Sequence, residues 1–188
     1  MKHNVYDFDK TIYKRDSTVD FYLFCLKKQP KILAEAPVLL IWSFLYLFRH
    51  CSKTEFKEKF YRFLRYLDSV DGRVAEFWER NRGKIAAFYL EGHQESDIVI
   101  SASPEFLLRP ICQELDIKNL IASRVDKYTG TYSGENCWGE EKVKRLRKEM
   151  QDVSIGEFYS DSLSDAPLAQ IAERAYLVRK KDIVPWPG

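Results

Sequence analysis

Hydrophobic and polar positions change their spacing twice along the chain. Residues 3–6 read as a short extended stretch that ends in Asp7-Phe8-Asp9-Lys10-Thr11. From about residue 13 to 95 the apolar positions fall at helical spacing. Ser17 suits the cap of a helix running to about Lys28, which Pro30 closes. A second helix over 31–49 contains the uncharged run 36–48, with Pro37 marking its start or a kink. Ser52 and Glu55 form a capping box for a third helix, in which Phe56, Phe60, Phe63, Leu64 and Leu67 make one apolar stripe. A fourth helical region follows Asp71-Gly72 through Phe77-Trp78, and Gly83 breaks it before Tyr89.

After residue 96 the texture becomes alternating. Residues 97–101 read as a buried strand, and Pro104 opens a helix to about Leu115. A strand over 119–123, a hairpin over 128–132 and a charged helix over 139–150 follow. A strand over 155–159, a helix over 163–174 and a last strand over 176–178 complete the order. This alternation predicts an α/β fold, a parallel sheet wrapped by helices, with the helical stretch inserted after the first strand.

Composition narrows the class. The 188 residues are 45% hydrophobic and 31% charged, which excludes a disordered, collagen-like or multi-span membrane protein. The net charge of +2 carries no global signature of nucleic-acid binding, and no nucleic-acid partner is expected. Aromatic residues make up 14% of the chain, and 17 of the 27 fall within 13–95. Cys25, Cys51, Cys112 and Cys137 are scattered without metal-ligand spacing, as expected of reduced thiols in a cytoplasmic protein. No apolar leader follows the charged first residues, so no signal peptide is expected.

The run 36–48 admits two readings. As a helix it would reach about 20 Å, short of the roughly 30 Å hydrocarbon core, so it is not expected to span a bilayer. It is either the buried centre of a helical bundle or a surface meeting lipid. For the second reading, residues 27–65 carry nine Lys/Arg against three Asp/Glu beside Trp42, Tyr46 and Phe48. That is the composition of an interfacial surface facing anionic headgroups.

The candidate chemistry lies at strand ends. Asp7 and Asp9 close the first strand, and Asp161 and Asp165 follow the strand 155–159. Carboxyl ends of parallel strands form the ligand crevice of such sheets, so both pairs are expected to converge. Oxygen-only ligands in an acidic crevice select Mg²⁺. Ser101 ends a neighbouring strand and Lys142 opens a later helix, a hydroxyl and an ammonium suited to a phosphate. Together these groups describe phosphoryl transfer through an aspartyl-phosphate. Blander readings stand beside this one. Asp-x-Asp pairs in loops are usually solvated, and Asp165 equally suits an ion pair to Lys142. Ser103 reads as the N-cap of the helix at Pro104, and Asp16 either caps the next helix or faces substrate. His3 reads as a satisfied sheet-edge histidine, Lys10 as solvated, and Lys57, Lys59, Arg62 and Arg65 as an ordinary solvated face.

In chain order, Asp7-Phe8-Asp9-Lys10-Thr11, the serine closing Ile98-Val99-Ile100-Ser101, Lys142 in Gly139-Glu140-Glu141-Lys142, and Asp161-Ser162-Leu163-Ser164-Asp165 resemble the four motifs of the haloacid dehalogenase-like (HAD) phosphatases. Asp16-Ser17 and the stretch 128–142 resemble the phosphoserine phosphatase-like subgroup (subfamily IB), and within it bacterial phosphatases of the phosphatidylglycerophosphatase type. The resemblance covers 1–17 and 96–178, while 18–95 match no motif. It implies a Rossmann-like HAD core over 1–12 plus 96–188 and a helical cap over 13–95. It further implies Asp7 as nucleophile, Asp9 as acid and base, and Thr11, Ser101 and Lys142 at the phosphate. Mg²⁺ would be held by Asp7, the Asp9 carbonyl, Asp161 and Asp165. The implied activity is hydrolysis of a small soluble phosphomonoester. The alternatives are a phosphorylated lipid headgroup reached from the membrane surface, transfer to an acceptor other than water, and a catalytically silent binding module.

Overall fold

The computed structural model describes residues 2–179 and 182–187. Its centre is a six-stranded sheet in the order β3-β2-β1-β4-β5-β6, built from β1 (Lys2–Tyr6), β2 (Ile98–Pro104), β3 (Asn119–Ser123), β4 (Ser154–Ser160), β5 (Ala172–Arg179) and β6 (Asp182–Pro185). The first five are parallel, and β6 pairs antiparallel with β5. From β1 the chain builds outward through β2 and β3 on one side and through β4 and β5 on the other. The end of β1 is therefore a topological switch point, where such sheets open a crevice.

Side-chain alternation along the strands assigns two faces. Val5, Ile98 and Ile100 pack with Leu146, Phe158 and Leu168 on one face, whereas Tyr6 and Val99 join Phe8, Trp78 and Tyr89 on the other. The first face is covered by α7 (Glu140–Glu149) and the short α8 (Ala166–Ala169). The second is covered by α6 (Glu105–Glu114) and by part of the helical insert.

The insert runs through α1 (Ser17–Lys28), α2 (Ala36–Leu47), α3 (Lys53–Tyr61), α4 (Val70–Asn81) and α5 (Ala87–Gly92). Val70, Val74, Phe77 and Trp78 of α4 recur at helical spacing and are all buried. Trp78 Nε1 donates to the Leu107 carbonyl at 2.6 Å, so this helix is fixed to α6. Phe8 and Tyr13 meet Trp78 edge-on, and Phe21 meets Phe77 likewise. Part of the aromatic surplus thus forms the seam between insert and sheet, and part packs within the insert.

Several local expectations change. Asp16, not Ser17, caps α1, its Oδ1 accepting from Val19 N at 2.9 Å. The capping box at Ser52 and Glu55 forms. The stripe after it does not stay on one helix: α3 ends at Tyr61, and Phe63 and Leu64 are buried in a following 3₁₀ turn, Arg62–Tyr66. The helix expected over 163–174 is a 3₁₀ turn, Leu163–Asp165, and one turn of α8, because Ala172 already pairs with Ile155 in the sheet. The hairpin over 128–132 is a loop instead. Asp126 accepts from Tyr128 N and Thr129 N, and a single bridge joins Val125 to Tyr132. In that loop Gly130 has φ +78°, and a Cβ there would sit 2.7 Å from the Tyr61 carbonyl oxygen, so only glycine fits. His3 lies on the central strand, not an edge, and its Nδ1 is 2.6 Å from the Ser96 carbonyl oxygen.

The apolar helix departs most from its first reading. Pro37 marks the start of α2, after a 3₁₀ turn over Pro30–Glu35. No residue of α2 is buried. It is not the centre of a bundle; Trp42, Leu45 and other half-buried residues face the body, and the rest face outward.

Candidate active site

The four strand-end elements meet in one cavity of about 320 Å³. Its floor carries Asp7, Asp9, Ser103, Lys142, Asp161 and Asp165, and its outer wall carries Lys53, Phe56, Lys57 and Phe60 from α3. Asp7 immediately follows β1, and its N–H donates to the Tyr159 carbonyl at 2.8 Å, which locks it to β4. Lys142, buried in the first turn of α7, donates to Asp7 Oδ1 at 2.6 Å and to Asp165 Oδ2 at 2.7 Å. Ser160 Oγ donates to the same Asp165 oxygen at 2.7 Å.

This is charge held out of water. Burial raises the Asp7 carboxyl to about 7; Lys142 opposes the shift, and Asp165 and Asp9 add to it. Burial works against the Lys142 ammonium, but Asp7 and Asp165 outweigh it and hold its pKa above the usual lysine range. An unpaired ammonium would be strongly disfavoured there. Of the two readings of Asp165, the ion pair with Lys142 forms, while its Oδ1 is buried without a hydrogen-bond partner.

Asp9 is held differently. Ser17 N donates to its Oδ1 at 2.6 Å and Ser103 Oγ to its Oδ2 at 2.5 Å. Burial, with Asp16 nearby, raises its carboxyl to about 6. Its proton affinity is therefore above that of an ordinary aspartate, and the group lines the cavity. Lys10 between them adopts φ 58°, a left-handed turn that carries the chain from Asp9 toward Arg15, whose carbonyl accepts from Lys10 N at 2.9 Å. Asp161 lines the same cavity, its carboxyl raised chiefly by burial.

The two expected hydroxyls stand back from the floor. Ser101 is buried, and its Oγ accepts from Ser103 N at 3.1 Å. Thr11 Oγ1 is buried without a partner, beside a larger cavity of about 1010 Å³ on the far side of Lys10. Residues that the sequence reading passed over lie closer. Ser103 is no helix cap: no side chain caps α6, and the Ser103 hydroxyl joins Asp9 to Thr18 Oγ1 at 2.8 Å. Lys57 is not solvated either. It crosses from α3 to the Ala102 carbonyl at 2.8 Å and Asn136 Oδ1 at 2.9 Å, and burial pushes its pKa down to about 8. Lys59 lies over the Trp42 ring and Arg62 pairs with Glu35, which leaves Arg65 as the exposed member of that group. A capping box one turn earlier was the only signal that fixed the helical phase of Lys57.

An all-oxygen donor set suits a hard divalent cation, and the unpartnered Asp165 Oδ1 and the raised Asp7 and Asp161 carboxyls are what such an ion would relieve. Among the described residues, no three His, Cys, Asp or Glu are already drawn together as a metal cluster. The Lys142 ammonium is the cation that bridges two of the carboxylates here.

Comparison with known proteins agrees with this architecture. A family model described as haloacid dehalogenase-like hydrolase matches residues 5–170. A histidinol-phosphatase of Neisseria meningitidis is 28% identical over 120 residues, 56% of this chain and 54% of that protein. The chain thus matches about half the length of that curated relative. Two solved structures share the fold. One is a protein of unknown function from Bordetella pertussis (TM-score 0.77, 21% identity, 93% of this chain and 88% of that one). The other is a phosphoserine phosphohydrolase-like protein from Francisella tularensis (TM-score 0.56, 17% identity, 93% and 86%). With a switch-point aspartate, its lysine partner and a family match across nearly the whole chain, this protein belongs to the haloacid dehalogenase-like hydrolases.

Proposed function

We propose that the protein is a Mg²⁺-dependent phosphomonoester hydrolase working through an aspartyl-phosphate. The observation that carries this reading is Asp7 at the switch point, buried against Lys142 at 2.6 Å, with Asp9 in the same cavity. The name of the Neisseria relative supports the reaction class. Asp7 attacks phosphorus through a carboxylate oxygen, and the bond from phosphorus to the ester oxygen breaks. Asp9, whose burial raises its proton affinity above that of an ordinary aspartate, gives a proton to the leaving alkoxide from its protonated form. Water then attacks the aspartyl-phosphate, loses its proton to Asp9 and releases phosphate and free Asp7.

Lys142 keeps Asp7 oriented and offsets negative charge on the transferring group. Ala102 and Ser103, which line the cavity, would face the phosphoryl oxygens, with Ser101 behind them holding Ser103 N, and Thr11 shapes the first loop. Asp7, the Asp9 carbonyl, Asp161 and Asp165 would hold Mg²⁺, which supplies the charge that lets an anionic carboxylate meet an anionic phosphate. The helical insert acts as a cap: Lys53, Phe56 and Phe60 close the cavity and face the leaving group. A 320 Å³ space favours a small phosphorylated metabolite. Phosphate release from a panel of soluble monoesters tests the reading. Release that requires Mg²⁺ and disappears in Asp7→Asn supports it; metal-independent release, or release retained in Asp7→Asn, overturns it.

A further inference from the structure

We propose that α2 docks flat on an anionic lipid bilayer. Leu33, Pro37, Leu40, Ile41, Phe44 and Leu47 recur every three or four residues, so they share one face of the segment. That face is open: Leu40 is 73% exposed, Phe44 61% and Leu47 75%. A contiguous apolar patch of this kind on a water-facing surface calls for a partner. The only charged residue between Lys31 and Arg49 is Glu35, and it is turned inward to Arg62 at 2.8 Å. The outer face therefore carries no charge at all.

Topology decides how a bilayer would be met. β1 precedes α2, while β2 and β4 follow it, and all three are hydrogen-bonded in one sheet. Both ends of α2 must lie on the same side of any membrane, so the helix cannot thread it. A helix in that position lies in the interfacial plane with its apolar face among the acyl chains. Its flanks fit this placement, because Lys27 and Lys31 before it and Arg49 after it are exposed and make no ion pair among the described residues. They would meet lipid phosphates at both ends.

Charge also separates a bilayer from a second copy of this chain. Two copies joined face to face through α2 would set cation against cation, whether the helices ran parallel or antiparallel, with no acidic residue on the face to relieve it. On its body-facing side, Lys59 sits over the Trp42 ring, and Tyr46 stacks on Phe56 with centroids 5.2 Å apart. Phe56 also lines the catalytic cavity, so docking would hold that cavity one side chain from the lipid surface.

The test is co-sedimentation of the full chain with vesicles of phosphatidylcholine alone and of phosphatidylcholine with about one third phosphatidylglycerol. The expected result is sedimentation with the anionic vesicles that weakens with salt. Leu40→Glu/Phe44→Glu should lower the partition at least about tenfold, since two side chains lose their apolar burial. Its circular dichroism and thermal transition should match the parent, because neither position packs against the body. Lys31→Glu/Arg49→Glu should abolish the preference for the anionic vesicles. Failure to sediment with either vesicle, or equal sedimentation of the Leu40→Glu/Phe44→Glu protein, overturns the proposal. A dimer seen by light scattering that the same double substitution dissociates also overturns it and assigns the face to a second copy.

Discussion

The strand-end cluster and α2 break the same rule in opposite directions. At the strand ends Asp7, Lys142 and Asp165 hide three charges from water, and on α2 Leu40, Phe44 and Leu47 expose hydrocarbon to it. The helix α4 shows what obeying the rule looks like. It is twelve residues long, as α2 is, and carries far more charge, yet it buries Val70, Val74, Phe77 and Trp78 while α2 buries nothing. Spacing decides the difference. Polar residues on one side of α4 leave a single apolar stripe to bury, whereas α2 is apolar on every side and its body can cover only one. Departures in either direction cost stability, and they mark the places where the fold serves something besides itself.

Substitutions at the two regions should therefore fail in different ways. The largest effect is expected for Asp7→Asn, which should lower kcat by at least about a thousandfold with the fold intact, since it removes the proposed nucleophile. Steady-state kinetics beside circular dichroism checks this. Lys142→Ala should follow, with kcat/KM down by about a hundredfold or more and a lower melting temperature, because Asp7 and Asp165 then face each other without a counter-charge. A mild effect on both readouts would reduce the lysine to packing.

The control comparison comes next. Phe77→Ala on α4 should cost about 3–5 kcal/mol in urea unfolding, whereas Phe44→Ala on α2 should stay within about 0.5 kcal/mol. Equal costs would mean that α2 is covered after all. Asp9→Asn should slow alkyl phosphates more than p-nitrophenyl phosphate, since the better leaving group needs less protonation; equal slowing would remove its acid role.

The smallest expected effect is at Lys57. Its folded-state pKa of about 8 lies below the ordinary value of 10.5, so between those pH values the folded chain holds fewer protons than the unfolded one. Stability should rise with pH across that window, by at most about 1.4 kcal/mol per unit for one proton. Lys57→Met should flatten the rise in urea midpoints measured at pH 8 and pH 10. An unchanged slope would place the titration elsewhere.

Much of this was legible in the chain itself. Asp7, Asp9, Asp161 and Asp165 sit where strand ends had to put them, because a parallel sheet allows few alternatives for a residue that follows β1 or β4, and Lys142 reaches them from the first turn of α7. Ser103 was misread because a serine before Pro-Glu has the local chemistry of a helix cap, and nothing nearby in sequence announces Asp9 as its partner. Lys57 was misread for the same reason: its partners Ala102 and Asn136 lie 45 and 79 residues away. The segment after Asp165 went to helix on composition, whereas pairing with β4 took Ala172–Arg179 into the sheet. For α2, an uncharged run carried two opposite meanings, and only the exposure of the folded helix removed the reading as a bundle centre.

The claim on which the catalytic reading turns is that Asp7 takes the phosphoryl group. Acid quenching during turnover, followed by peptide mass spectrometry, should find a phosphoryl adduct on the peptide containing Asp7, absent in Asp7→Asn. Steady turnover with no adduct on that peptide at any quench time, in wild type or in the slowed Asp9→Asn protein, would show that water attacks the ester directly and that Asp7 is no nucleophile.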